Sequence, residues 1–563
     1  MTPACACTLG VRFEQAPVSP PITPEMALLS LGLGGNMTAV EEDRLTGWRF
    51  VLFNVAIAGG NIIALSNVPG YTVLAPYAAG SLQGVTPSFG TWATTDHMMG
   101  IVLGLPFARW LSARYGDYRV YVAAFIAYAV FSLACAWSET IWFFVPARFL
   151  LGLAGGVLLP IGQGLVLNEL PEKFRTYGVA WWGVLSMAPF TLGVFMGGFW
   201  AEYFNWRMLF YSNVVFGLLI AGVIGALLYG RPYSRRITRF DTVGVLLIAF
   251  TLVGIQTIFN QGNDFDWLGS TFLTIVLIAV VIALPTFIIW ELGERRPVLD
   301  IRLFAHRNYA VATFCSVVGF LFIQGMLSVF VGQLQLLLGY TSSGAGVVYL
   351  TMALLAVPLV AVVHLLVRHI DLRLFASLNF LGFSVTMTWL GLFDKPASFD
   401  QITVPMTFFG FFLATFFAPP AAIAVQGLAG SQLIRAAEEL AMLRTAAGAY
   451  GITLQGVMQF RRTPFHQLDL ADQLGGRRFP SLDLLPQLLD KLQGLGMSES
   501  VARAQVSRLI RQQALLMGLN DAFLTGALAF FGLAIFVWLA KPKKPAPKPS
   551  LKLLRAEELM EEP

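Results

Sequence analysis

Two ionisable side chains stand together inside an apolar run, Asp96 and His97 in TWATTDHMMG (91–100), and a third, Arg148, sits in PARFLLGLAGG (146–156). Charges placed this far from water are costly unless they are paired or line a proton or solute pathway. A guanidinium stays protonated in a protein, so Arg148 is either half of a fixed ion pair or a device that stabilises the ionised form of a neighbouring acid. With a rise of roughly 1.5 Å per residue, Asp96 lies on the order of 8 Å from the end of its run near Thr91, and Arg148 about 10 Å from the end of its own near Ile141. The depths match, so the two are expected to pair, with a proton on Asp96 releasing Arg148. A static bridge between two helices is the plainer alternative. Neighbouring residues on a helix point about 100° apart, so only one of Asp96 and His97 is expected to face a central cavity.

The elements that must position these groups are long and apolar. Of 563 residues, 56 % are hydrophobic and 12 % charged, against about 25 % charged in soluble domains. Runs of about 20 apolar residues can span a bilayer as helices, and fourteen are read, near 49–70, 90–108, 120–137, 141–165, 178–199, 209–229, 242–260, 271–290, 310–332, 344–366, 374–393, 402–427, 437–458 and 520–540. A β-barrel would need strands of about 10 residues alternating in polarity, which these runs do not show. The class expected is therefore an all-α polytopic membrane protein.

A net charge of +5 could suggest nucleic acid, but the basic residues mark one side of the membrane instead. Alternate connections carry Arg109, Arg114 and Arg119, then Lys173 and Arg175, then Arg231, Arg235, Arg236 and Arg239, then Arg295, Arg296, Arg302 and Arg307, then Arg368 and Arg373, whereas the opposite short loops carry Arg207 and Lys395. Both termini are then expected in the cytoplasm. Cys5, Cys7, Cys135 and Cys315 lack metal-site spacing, and no H-E-x-x-H, G-x-S-x-G or P-loop occurs, so neither enzyme chemistry nor a cofactor is expected. Residues 1–46 contain no basic segment leading into a short apolar core, and a disordered cytoplasmic extension is expected there. Across 459–519, Leu482, Leu485, Leu489 and Leu492, then Val501, Val506, Leu509 and Ile510, recur at helical spacing and predict amphipathic helices.

From Gly183 to Gly217 the chain reads GVLSMAPFTLGVFMGGFWAEYFNWRMLFYSNVVFG, an apolar helix with Pro189, Gly193, Gly197 and Gly198, an aromatic cluster, Arg207 and a second apolar run. Small residues four apart let another helix approach closely. With Trp206, Arg207, Phe210, Asn213 and Gly217, this stretch resembles the G-P-x-x-G-G antiporter motif and following W-R run of the fourteen-span drug:proton antiporters of the major facilitator superfamily, the EmrB/QacA type, with Val194 at the motif's second proline. Leu111, Arg114, Gly116 and Arg119 are similar to the superfamily's loop after the second span, in which Arg109 and Ala113 replace a glycine and an aspartate. Arg148, Gly152, Gly156 and Pro160 match a fourth-span pattern, and Trp290, Glu291, Pro297, Asp300, Arg444, Asp521 and Phe523 match the EmrB type. Where the family carries an acid in the first span, this chain has Asn67.

The resemblance, which runs from about residue 50 to 542, implies a major facilitator fold of 14 transmembrane helices arranged 6+2+6. Its parts are an N-terminal extension (1–46), a six-helix bundle (47–230), a linker with a central two-helix insertion (231–300), a second six-helix bundle (301–540) that includes the outer loop 459–519, and a basic cytoplasmic tail (541–563). It also implies a secondary active exporter of amphipathic organic compounds, driven by protons through alternating access, in a bacterial cytoplasmic (inner) membrane. Asp96 and Arg148 are then the proton-coupling residues. Asn67, His97, Gln163, Gln333 and Arg444 are expected at the substrate cavity, and Arg114, Gly116, Arg119, Pro189, Gly193, Gly197 and Gly198 in conformational motifs. Expected partners are the small substrate, protons and lipid, with a periplasmic adaptor and an outer-membrane channel as further ones. A dedicated metabolite exporter or facilitator uncoupled from protons, and a membrane scaffold that transports nothing, are the rival readings.

Overall fold

In the computed structural model the described residues are 45–82, 87–170, 175–231, 233, 240–392, 398–475 and 484–542. Expectations placed on most of 1–46, on Lys173, Arg235, Arg236, Arg239, Lys395 and Leu482, on the tail beyond 542, and on the side chains of Arg175 and Arg368 lie outside them. The chain divides into Met1–Phe50, of which 45–50 are described, and Val51–Pro563.

Apolar composition dictates helices, because a backbone in lipid must satisfy its own hydrogen bonds. The described residues form α1 (Gly47–Ser81), α2 (Pro87–Tyr115), α3 (Asp117–Ala136), α4 (Ile141–Glu169), α5 (Arg175–Tyr203), α6 (Met208–Leu227), α7 (Thr242–Gln261), α8 (Thr271–Gly293), α9 (Arg307–Leu336), α10 (Ser342–His369), α11 (Leu372–Gly391), α12 (Phe399–Phe416), the short α13 (Ala418–Ala424), α14 (Ser431–Leu474), α15 (Leu485–Gly494) and α16 (Glu499–Phe536), with no strand among them. The boundaries follow local chemistry. Gly116, at φ 89°, turns α2 into α3 within one residue, a conformation that glycine reaches without strain. Asp241 and Asp371 cap α7 and α11 by accepting from the backbone N–H of Gly244 and Arg373, and Ser398 with Gln401 forms a capping box on α12.

Among the described residues twelve helices are long and apolar enough to cross a membrane. The long helices outside that set are α2, interrupted by Asp96, His97, Arg109 and Arg114, and α14, which is polar at both ends. Within the described part of 459–519, α14 runs unbroken to Leu474, α15 follows, and α16 starts at Glu499.

Pairing follows one plan twice. In the first half α1 lies on α5, α2 on α4 and α3 on α6; in the second, α9 lies on α14, α10 on α12 and α11 on α16. The halves meet where α5 packs on α10 and α2 on α14, and α7, backed by α8, lies against both α2 and α14. A large apolar core built from Phe320, Phe330, Phe380, Phe383, Phe409, Phe416 and Phe530 fills the second half, with the Phe383 and Phe530 rings stacked at 4.7 Å.

Candidate functional site

Close backbone approach between α2 and α4 creates the polar centre of the first half. A Cβ on Gly100 or Gly152 would collide with the facing backbone, so only glycine lets the helices lie this near. At this crossing the His97 ring nitrogen Nδ1 lies 3.0 Å from the carbonyl of Arg148, and Arg148 Nε donates to the carbonyl of Ala93 at 3.3 Å.

Arg148 is 0 % exposed, and the structure places it on Asn67 rather than Asp96. Its Nη1 donates to Asn67 Oδ1, Asn67 Nδ2 donates to Tyr128 Oη at 3.0 Å, and the guanidinium lies 4.3 Å from the Tyr71 ring centroid and 5.5 Å from that of Phe210. Tyr71 follows Asn67 by four residues, one turn along the same face of α1. The buried cation is therefore held by an amide, a carbonyl and two ring faces, and among the described residues no carboxylate forms an ion pair with it. This corrects the expected Asp96–Arg148 pair. Equal depth in two helices fixes height but not azimuth, and Asp96 is turned away from its neighbour His97, which faces α4. Asp96 is itself buried, 6 % exposed, beside Trp92, and its Oδ1 has no hydrogen-bond partner among the described residues.

A cavity of about 20 Å³ lies where the halves meet, lined from α1 (Val68, Pro69, Thr72), α5 (Phe190, Val194), α9 (Gln324, Ser328), α10 (Tyr349) and α14 (Ile452) among others. None of the five residues expected at the cavity lines it. Asn67 and His97 are committed to Arg148. Gln163 is half-buried on α4, and Gln333 is buried in the second half. Arg444 rests on the rings of Phe417 and Phe320, at 4.6 and 5.7 Å. The lining of this cavity is mostly apolar, with Gln324, a polar residue in an apolar run, among it.

Each end of the interface between the halves is closed. At one end α5 presents Gly193 and Gly197 to α1, where a Cβ would strike the backbone of Ser66 and Gly70, and presents Gly198 to α10, where it would strike the carbonyl of Ser342. Pro189 is buried within the same helix. Glu202 completes this seat: its Oε2 accepts from the Ser343 backbone N–H at 2.9 Å and from Ser343 Oγ at 2.5 Å, so a carboxylate sits on the N-terminus of α10. Tyr77 Oη and Ser342 Oγ lie 2.7 Å apart, joining α1 to the same point. Glu202 and Tyr77 were missed by sequence reading: Glu202 stands inside an aromatic cluster, and Tyr77 lies beyond the end read for the first apolar run.

At the other end Arg109 Nη1 lies 2.7 Å from Glu438 Oε2, joining α2 to α14 with side chains 47 % and 40 % exposed. Nearby, Arg114 stacks over Trp110 and Tyr115, and Arg119 lies 4.6 Å from the Tyr233 ring, which also packs against Gly116. Glu439, next to Glu438, accepts from the Asp300 backbone N–H at 2.8 Å and from Tyr309 Oη at 3.2 Å, fixing the linker after α8 to the second half.

With two similarly paired halves and a small cavity where they meet, the chain can be compared with known proteins. The chain is 26 % identical to the multidrug export protein EmrB of Haemophilus influenzae over 88 % of this chain and 97 % of that one. It is 28 % identical to the fatty acid resistance protein FarB of Neisseria gonorrhoeae, over 84 % and 92 %. A crystal structure of an auto-inhibited POT family peptide transporter matches its fold with a TM-score of 0.56 at 13 % identity, covering 89 % of this chain and 99 % of that one. Residues 51–460 match the family model of the Major Facilitator Superfamily, and the chain belongs to that superfamily.

Proposed function

We propose that the chain is a multidrug-type exporter that moves amphipathic organic compounds out of the cytoplasm in exchange for protons. The observation that carries this reading is the pair of end closures around a shared cavity. At about 20 Å³ the cavity has room for about one water, whereas sites for organic ligands run to several hundred Å³. One closure must therefore open to admit a substrate and the other to release it. The helix pairing supports a 6+2+6 arrangement, with α2 and α14 as spans in addition to the twelve apolar ones and α7–α8 as the inserted pair. By the distribution of Arg and Lys, the Glu202 end faces outward and the Arg109 end inward, with both termini cytoplasmic, in a bacterial inner membrane. A scaffold would have no use for Arg148 and Asp96 in its interior.

Asp96 is the proton carrier in this reading, since its carboxyl is buried without an ion-pair partner, while Arg148 is a fixed positive charge that shapes the field around it. A second reading, transport uncoupled from protons, is favoured by Asn67, which satisfies Arg148 without any acid. Proteoliposomes separate the two. Proton release on addition of a lipophilic cation is expected from the native chain, and Asp96→Asn should retain substrate binding while proton-driven transport falls to background. Transport without proton movement would establish the uncoupled reading, and neither activity would leave the scaffold. The exposed apolar residues Phe465, Leu468, Leu495, Val501 and Leu509 around the ends of α14, α15 and α16 are where a periplasmic adaptor, itself linked to an outer-membrane channel, would dock. Deleting 481–511 should abolish its cross-linking while leaving proton exchange intact.

A further inference from the structure

The inserted helix α7 hydrogen-bonds to both halves at once. Asn260 Nδ2 donates to Thr95 Oγ1 of α2 at 2.9 Å, and Gln256 Nε2 donates to Thr453 Oγ1 of α14 at 2.6 Å. The two arms are joined, because Asn260 Nδ2 also reaches the Gln256 carbonyl at 3.1 Å and Thr453 Oγ1 lies 3.4 Å from Asn260 Oδ1. All four residues are buried, at 0 to 5 % exposure. Below them the apolar cluster of Val102, Leu103, Ile248, Met442 and Ala446, joined by Phe287 of α8, fills the seam, with Tyr450 Oη of α14 donating to the Leu252 carbonyl of α7 at 3.0 Å. Gln261, the next residue on α7, is buried as well, and its amide has no partner among the described residues.

We propose that α7 is a polar strap across the two halves, with Asn260 as the residue that ties α2 to α14 at the Glu202 end and must release one of them in each transport cycle. The inference rests on the alternating-access reading and assigns the insertion a task in it. Thr95 and Thr453 lie in the parts of α2 and α14 that separate when the Glu202 end opens. A helix bonded to both cannot follow both, so either the Asn260–Thr95 bond or the Gln256–Thr453 bond breaks. The strap therefore favours the closed Glu202 end. A ligand or contact shifts such an equilibrium only through its different strength in the two states, and these bonds exist only in the closed one.

The test is a spin-label distance between Gly80→Cys on α1 and Val347→Cys on α10, in the full-length chain with its native cysteines replaced, in lipid nanodiscs and without substrate. Asn260→Leu is expected to raise the open-to-closed ratio at this end about fivefold, the size of one buried hydrogen bond. Thr95→Val should do the same, the double variant no more than either alone, and Thr95→Ser should match the native chain. An unchanged distance distribution in Asn260→Leu and in the near-isosteric Thr453→Val would overturn the strap, as would fully additive effects of Asn260→Leu and Thr95→Val. Should Asn260→Leu fail to fold, Thr95→Val and Thr453→Val decide the question. The distance measurement needs no transport, so a native chain that moves no substrate would refute the efflux reading while leaving the strap to stand or fall by itself.

Discussion

The two ends of the interface are closed by different physics. At the Glu202 end, backbone meets backbone: Gly198 lies on the Ser342 carbonyl, and the α10 N-terminus is capped across the interface by a carboxylate. At the Arg109 end the outermost link between α2 and α14 is an ion pair, nearly half exposed on each side, beyond the apolar contact of Val102 and Leu103 with Met442 and Ala446. Steric fit resists change of shape whatever the solvent, whereas exposed ion pairs are worth little and are screened by salt. The Arg109 end should thus open more readily, and the resting transporter should favour facing the side from which a substrate is collected.

Substitutions at the two ends should rank in that order. Gly198→Leu places a side chain into the Ser342 backbone, and overpacking of this kind should lower transport by about tenfold to a hundredfold, with the Gly80–Val347 distance shifted to the open value; a normal closed distance would show that the seat is dispensable. Glu202→Gln keeps the shape but removes the charge from the helix terminus, so the open population should rise only a few-fold, read by the same distance. Asn67→Asp gives Arg148 a counter-charge and a second titratable group, so the dependence of transport on pH should change while the folded yield stays level; an identical pH profile would show that position 67 is silent. Arg109→Ala should change transport by less than about twofold at physiological salt, with a larger difference at low ionic strength. A salt-independent loss would mean that Arg109 acts through packing.

How much of this was legible in the sequence depended on whether a signal was local. Length and hydropathy carried the helices, since an apolar run in lipid has no alternative to closing its own hydrogen bonds. Glycine spacing announced that α5 would be approached closely, but not that Gly193 and Gly197 serve α1 while Gly198 serves α10, because a spacing does not name its partner. Asp96 and Arg148 were visible as buried charges. Their separation was not, since depth along a helix is readable from residue counts and the direction around it is set by tertiary packing. Asn67 looked like a loss, an acid replaced, until its two-ended amide was seen accepting from Arg148 and donating to Tyr128, which a carboxylate cannot do without help from the tyrosine proton. The strap was invisible because Asn260, Thr95 and Thr453 come from three distant runs and each is an ordinary polar residue in its own.

The 44 residues of α14 make a rod of about 66 Å, longer than a bilayer is thick. Mechanically this is a lever. Glu438 and Glu439 fix it near one end and Thr453 holds it at the strap, while its far part lies along α16. From Glu438 to Leu474 the arm is about 54 Å, so a tilt of roughly 10° would carry the tip about 9 Å. A lever transmits only as well as it is stiff, and Pro464 leaves this one short of a backbone hydrogen bond. Arg462 and His466, on either side of that proline, both reach Asp521 Oδ2 of α16, at 2.5 and 2.7 Å. Together they splint the rod at its weakest turn, so that α14 and α16 tilt as one unit there.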